Sequence, residues 1–412
     1  MTKLTRNKRF LLLWSSQISS QLAINIMNFL VLVQIYERTG SSIAASFIWV
    51  AYGIPAVVLG PVGAAAVDML DKRKVLMTAN ITQALVILSY ALLFKNYLYL
   101  SYGVVLLYSV MDQFYVPAEA ATLPVIVPKK QLPRANGLFF ISAQTSAILG
   151  FGMAGLIREL IGFSSTMMLG AVMLIGAFFA AAALPKVAQQ KKHIWKSVDS
   201  LVFDFLENIK EGYEFIRKKA TILYPFLFLI WLQVCLSVLV VNLPAIGTSI
   251  IRTKPSLAGS IVIGPAGLGA LVGTLLVPRI LARGIRKKEL VDSALIILTI
   301  AFLLVGAVAP LLGFWTSRLV LILCFFFVGI AYVSALIPSV TFMQVQTPPN
   351  LMGRVFGNFW FIANTVTLLP ILFSATITEI FGVHLMLLFI GVIAFSVFIF
   401  SRYHVPKVLA EM

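Results

Sequence analysis

The chain has 412 residues, of which 60% are hydrophobic and only 11% charged, against the roughly 25% charged residues of a soluble domain. So few polar groups do not cover the surface of a water-soluble globule, and the composition excludes a coiled coil, a collagen or a disordered chain as well. Lys and Arg outnumber Asp and Glu by 32 to 15, a net charge of +17, which in so apolar a chain points to anionic lipid at one membrane face and away from nucleic acid.

The first nine residues carry Lys3, Arg6, Lys8 and Arg9 ahead of an apolar run from Phe10 to about Tyr36. That run exceeds the roughly 7–15 apolar residues of a signal peptide, so it reads as an uncleaved first spanning helix. A bilayer core needs about 20 apolar residues per helix. Six runs qualify in the first half, at 10–36, 43–67, 75–94, 97–120, 136–160 and 164–184. Six more follow at 222–249, 256–282, 289–312, 315–345, 350–380 and 383–403. The runs are continuous and do not alternate, which excludes a β-barrel. The fold expected is an all-α integral membrane protein of twelve transmembrane helices, in six-helix bundles over 1–184 and 222–412. Between them, 185–221 is the only long polar interval. Its Val202, Phe205, Leu206, Ile209, Tyr213 and Ile216 recur at helical spacing beside Lys210, Arg217, Lys218 and Lys219. This predicts an interfacial amphipathic helix in a cytoplasmic linker.

An even number of spans puts both termini on one side. Placing them in the cytoplasm leaves 26 of the 32 cations inside, and only Arg38, Lys95, Arg158, Arg252, Lys254 and Arg318 outside. The positive-inside rule favours that orientation. The expectation is a multi-pass protein of the cell inner (plasma) membrane with cytoplasmic termini, a monomer, with anionic lipids at its cytoplasmic face.

The two halves repeat. Pro117 and Pro128 are eleven residues apart, as are Pro338 and Pro349, and each pair is followed by Leu and then Arg. Lys72-Arg73-Lys74 after the second span matches Arg286-Lys287-Lys288 after the eighth, so the offsets are 221 and 214 residues. A six-plus-six duplication places a substrate path near the membrane midplane. The segment GPVGAAAVDMLDKRKVL (60–76) resembles the signature between helices two and three of the major facilitator superfamily. NKRFLLLWSSQISSQL, FYVPAEAATLPVIVPKKQLPRANGL and EGYEFIRKK are similar to the drug-efflux branch that includes macrolide exporters. The signature's first Gly falls on Ala64, with Gly63 adjacent, its first Arg on Met69 and its second Gly on Asp71.

The resemblance implies an ion-coupled exporter of small hydrophobic or amphipathic compounds, with a proton or a sodium ion as coupling ion and no other cofactor. It also implies a cytoplasmic gate from Gly63, Asp68, Asp71, Lys72 and Arg73, in which Asp68 docks on the start of span eleven near Gly353 and Arg354. A carboxylate is stabilised at a helix N-terminus by the dipole and the free N–H groups. A lipid or lysophospholipid flippase of the same superfamily, and a transport-inactive receptor or scaffold, stand as the alternatives.

Polar groups inside the spans mark where the chemistry lies. Gln17, Gln21, Asn25 and Asn28 fall within one arc of about 80° on span one. They line a substrate cavity or hydrogen-bond neighbouring helices. Gln144, Gln233, Asn242, Tyr332, Asn358 and Asn364 are open to the same two readings. Asp112 lies deep in an apolar run, and Glu119 is seven residues on, nearly on the same face. They serve ion coupling or substrate recognition, or a structural pairing with a cation such as Arg134. The glycines of 264–273 and 150–155 permit close helix approach and are not phosphate loops, since no Lys-Ser/Thr follows. Cys235 and Cys324 sit in apolar runs, and the histidines at 193, 384 and 404 are dispersed, so neither a disulfide framework nor a metal site is expected. No Ser/His/Asp or Cys/His constellation suggests an enzyme. Asp68→Asn is expected to slow transport while leaving membrane insertion normal; an unchanged uptake rate in that variant would remove the gate role.

Overall fold

The computed structural model describes residues 4, 6–185, 198–348 and 351–404, and among these it contains helices and no strand. The chain divides into two compact units, Met1–Arg38 with Phe47–Phe205, and Thr39–Ser46 with Leu206–Met412. The helices of the first half are α1 (Lys8–Thr39), α2 (Ser42–Met69), α3 (Lys72–Ser89), α4 (Leu100–Ile126), α5 (Leu132–Ile161) and α6 (Phe163–Ala182). An intervening helix, α7 (Val198–Lys218), lies where amphipathic spacing predicts one. The second half contains α8 (Ala220–Val241), a short α9 (Leu243–Ser249), α10 (Ala258–Ala282), α11 (Lys287–Leu303), α12 (Phe314–Gln346), α13 (Met352–Phe381) and α14 (Val383–His404).

Among the described residues, eleven helices are long and apolar enough to cross a membrane. The twelfth span is α4, 27 residues long, whose hydropathy is lowered by Asp112, Gln113 and Glu119. The helix that looks least like a membrane span is therefore the one carrying intramembrane acids, and the twelve-helix fold stands.

Local chemistry sets the helix ends. Asp71 caps α3, its side chain accepting the backbone N–H groups of Arg73 and Lys74. Gly162 and Gly382 end α5 and α13 at φ of 83° and 87°, a left-handed turn that glycine alone adopts cheaply. These two glycines occupy equivalent places in the halves. So do two π-helical turns, Tyr90–Phe94 after α3 and Leu304–Val308 after α11, which are 214 residues apart, the offset of the basic loops. Packing repeats as well: α3 lies against α4 and α6 in the first unit, and α11 lies against α12 and α14 in the second.

Lipid is as apolar as the helix surfaces, so close backbone approach replaces hydrophobic burial as the main source of helix association. The α10–α12 contact is built this way, with reciprocal glycines. A Cβ on Gly329 would overlap the Ala266 carbonyl, and one on Gly269 would overlap the Phe326 carbonyl. Gly264, on the same helix as Gly269, faces open space. Large apolar side chains such as Leu369 and Phe179 are left exposed on the spanning helices, as expected where the surrounding medium is itself apolar. Gly329→Val is expected to cost about 1–3 kcal/mol through overpacking, and Gly264→Ala nearly nothing. Thermal unfolding of the two variants in the same detergent checks the contrast.

Candidate functional site

The first unit holds a buried polar network centred on Asp112 of α4. Asp112 Oδ1 accepts the Gln83 side-chain amide of α3 at 2.8 Å, and Oδ2 accepts the Tyr52 hydroxyl of α2 at 2.9 Å. The same Gln83 amide also reaches the Tyr108 carbonyl at 3.0 Å. Tyr108 donates its hydroxyl to Asn28 of α1, and Ser109 donates to the Tyr52 carbonyl at 2.6 Å. Both residues contributed by α3 and α4, Gln83 and Asp112, are buried. Every donor to the carboxylate is neutral. Arg134, which the sequence offers as a structural partner, is exposed at the start of α5 and pairs with neither acid among the described residues. Glu119 lies two turns further along the face of α4, also buried.

A second strand of the network runs beside the first. Asn80 of α3 donates to Ser16 of α1 at 3.4 Å, Ser16 lies 3.3 Å from the Tyr115 hydroxyl of α4, and Ser16 donates to the Ala177 carbonyl of α6 at 3.1 Å. Two acceptors stay unsatisfied although buried, Gln83 Oε1 and Asn80 Oδ1. A buried polar atom without a partner costs roughly 1–3 kcal/mol, a cost that Asn242 Oδ1 bears in the second unit as well.

The carboxamides of α1 separate from one another. Gln17 donates to the Phe139 carbonyl of α5 at 3.0 Å and accepts from Ser142 at 2.9 Å. It is an interhelical tie. Asn28 joins the Asp112 network through Tyr108. Asn25 folds back on the Gln21 carbonyl of its own helix at 2.7 Å, and Gly150 packs on it so closely that a Cβ would clash. Gln21, Gln144, Gln233 and Tyr332 are half-buried, and Asn364 is exposed. Asn242 is buried and donates to the Val238 carbonyl and the Ser374 hydroxyl, linking α8 to α13. Asn358 is turned toward α7, donating to the Ile209 carbonyl at 2.9 Å, because Gly212 leaves room for its amide.

The gate residues divide similarly. Gly63 lets α2 touch α4, since a Cβ there would overlap the Gln113 carbonyl. Asp71 serves as the α3 cap, Lys72 is half-buried in the first turn that follows, and Arg73 donates to the Ala182 carbonyl at the end of α6. Arg354 pairs with Glu211 of α7. The Asp68 side chain lies outside the described residues. On α7 itself Ile216 is buried as its spacing predicts, whereas Tyr213 is 47% exposed.

Tyr52, Asn80, Gln83 and Tyr108 escape a reading of the sequence. Asn80 and Gln83 carry the same signal as the α1 carboxamides, two amides one turn apart in an apolar run. The tyrosines carry none, since tyrosine is ordinary in a span. Glu379 carries no sequence signal of its place either: near the end of α13, in the second unit, it accepts the Ser41 hydroxyl at 2.6 Å and the Ile43 amide at 3.0 Å, capping the start of α2. Among the described residues no group of His, Cys, Asp or Glu is arranged to hold a metal.

Two helical units with equivalent π turns and equivalent glycine turns, one of them with a buried carboxylate strung between its helices, fit a polytopic membrane transporter. The model of the Major Facilitator Superfamily matches residues 13–369, and the chain belongs to that family. It is 26% identical to the uncharacterized MFS-type transporter YfiS of Bacillus subtilis, covering 94% of this chain and 91% of that protein. It is 24% identical to macrolide efflux protein A of Streptococcus pyogenes, covering 91% of each. The crystal structure of the nucleoside transporter NupG superposes with a TM-score of 0.67 at 17% identity, over 95% of this chain and 99% of that one.

Gly212→Val is expected to force Asn358 and Arg354 away from α7. Trypsin cleavage at Lys210, Arg217 and Lys218 of the purified protein should then accelerate about tenfold or more, following an overpacking cost of about 1–3 kcal/mol. A cleavage rate equal to that of the parent would show that the Asn358 contact does not hold α7.

Proposed function

We propose that this chain works by alternating access as a proton-coupled exporter of small hydrophobic or amphipathic compounds, and that Asp112 takes up and releases the coupling proton. The observation that carries the reading is the environment of Asp112: a buried carboxylate held by an amide and a hydroxyl, with no cation paired to it among the described residues. An uncompensated buried charge is costly, and binding a proton removes the cost. The Tyr52 hydroxyl accommodates either state, donating to the carboxylate or accepting from the acid.

Internal comparison supports a special role. With the offset of 221 that relates Pro117 to Pro338, Asp112 corresponds to Val333 and Glu119 to Val340. With the offset of 214, Asn80 corresponds to Ala294 and Gln83 to Ile297. Apolar side chains therefore satisfy the same positions in the second half, and the fold does not require the acids. The relation to macrolide efflux protein A supports an amphipathic substrate and outward transport. The plasma membrane, with both termini cytoplasmic, is the location this reading requires.

The test is transport of a labelled macrolide into proteoliposomes under an imposed proton gradient, an imposed sodium gradient, or none. Accumulation is expected with the proton gradient alone. Asp112→Asn, which keeps the shape and both hydrogen bonds, should abolish gradient-driven accumulation while substrate exchange at equal concentrations continues. Gradient-driven accumulation that survives in Asp112→Asn would overturn the assignment. Lysophospholipid movement that needs no gradient would instead support the flippase.

A further inference from the structure

The end of the first unit opposite the N-terminus of α1 contains a cavity of about 370 Å³. Its lining includes Arg38 from the end of α1, Lys95 from the turn before α4, and Arg158 from the end of α5, with Ser164 and Ser165 from the start of α6. Arg38, Lys95 and Arg158 are half of the six cations that the loop tally leaves on the outer side, where basic residues are disfavoured. Cations placed there merely to set topology would lie on the other face. The network of Asp112 makes no use of them.

The cluster is constructed. Gln34, buried in α1, donates to the Lys95 carbonyl at 3.2 Å and accepts the Tyr90 hydroxyl at 3.1 Å. Arg38 donates to the Asn96 carbonyl at 2.9 Å. Two side chains of α1 thus fix the turn that presents Lys95, whose ammonium crosses to the Ser164 hydroxyl at 3.1 Å. Arg158 pairs with Glu37 through one nitrogen, while its Nη1 is buried with no hydrogen-bond partner. Glu37 is the only carboxylate in the lining, so the cavity holds three cations against one anion. Gly162 precedes α6 with no side-chain cap, and the first turn of that twenty-residue helix, whose leading N–H groups have no partner within the helix, lines the same cavity.

We propose that this cavity binds a phosphate group, presented by the headgroup of an anionic phospholipid in the adjacent leaflet. Surplus positive charge, an unused guanidinium nitrogen and free helix N–H groups form a donor set suited to a tetrahedral anion with several acceptor oxygens. The volume exceeds that of a free phosphate and leaves room for the esterified glycerol. Tyr97 and Tyr99 are exposed beside the cavity, as tyrosines are at the membrane interface. Leu160 and Leu93 are exposed close by, and acyl chains attached to the bound headgroup would lie over them.

The test compares thermal stabilisation of the purified full-length protein by phosphatidylglycerol, phosphatidylcholine and inorganic phosphate. The variants are Arg38→Gln with Lys95→Gln, both at exposed side chains, and a control of equal charge loss, Lys74→Gln with Lys130→Gln. Phosphatidylglycerol should stabilise the parent and the control. It should bind the Arg38/Lys95 variant about thirtyfold more weakly, at about 1 kcal/mol for each cation lost. Stabilisation by inorganic phosphate that is lost in the same variant would support the site with the free anion as a second source. Equal responses of the parent and the Arg38/Lys95 variant, or an equal loss in the control, would overturn the proposal.

Discussion

Inside a bilayer no water is present to satisfy a backbone or side-chain polar group, and the rest of this structure follows from that absence. It forces the spanning segments to be helices, since only a helix pairs its own N–H and C=O groups within one segment. It also decides what happens to each amide in a span. Gln17 finds the Phe139 carbonyl, Asn242 finds Ser374, and Asn25 returns to its own helix. Each solves the same problem with a different partner. Where no partner exists, as at Gln83 Oε1 and Asn80 Oδ1 in the first unit and Asn242 Oδ1 in the second, the amide oxygen carries the cost of its own burial.

The fold was legible from the sequence to within a few residues because the bilayer thickness dictates the length of each apolar run. The run predicted at 136–160 is the helix Leu132–Ile161, and that at 383–403 is Val383–His404. The run at 222–249 differs, dividing into α8 and α9 at Asn242-Leu243-Pro244. A proline in the first turn starts a helix well and does not continue one. Apolarity alone does not register that break.

The site was less legible, for a geometric reason. A helical wheel tells which side of a helix a residue occupies, and nothing about what stands opposite. The arc from Gln17 to Asn28 is a true stripe, yet its members face α5, their own backbone and Tyr108 in turn. Asn358 shows the same limit, since its helix face was readable but its occupant, the α7 backbone at Gly212, was not. Asp112 was visible because an acid in an apolar run is conspicuous by itself. Its partners Tyr52 and Gln83 come from two other helices, and only three-dimensional packing brings them together.

Duplication turns these observations into an argument about division of labour. The halves share their basic loops, their π turns after α3 and α11, and their left-handed glycines at 162 and 382. Those features set geometry, and geometry must match for two units of common origin to pack in the same way. The polar network is not shared. Positions equivalent to Asp112, Glu119, Asn80 and Gln83 carry Val, Val, Ala and Ile in the second half. The second half is thus an internal control, whose α11, α12 and α14 pack as α3, α4 and α6 do, with apolar residues at the positions of the two acids. The second unit stabilises its α10–α12 contact through Gly269 and Gly329 with no acid nearby in the sequence, so a carboxylate is not what holds such a bundle together. What separates the halves is a buried carboxylate held by neutral donors, and binding a proton removes the cost of burying such a charge.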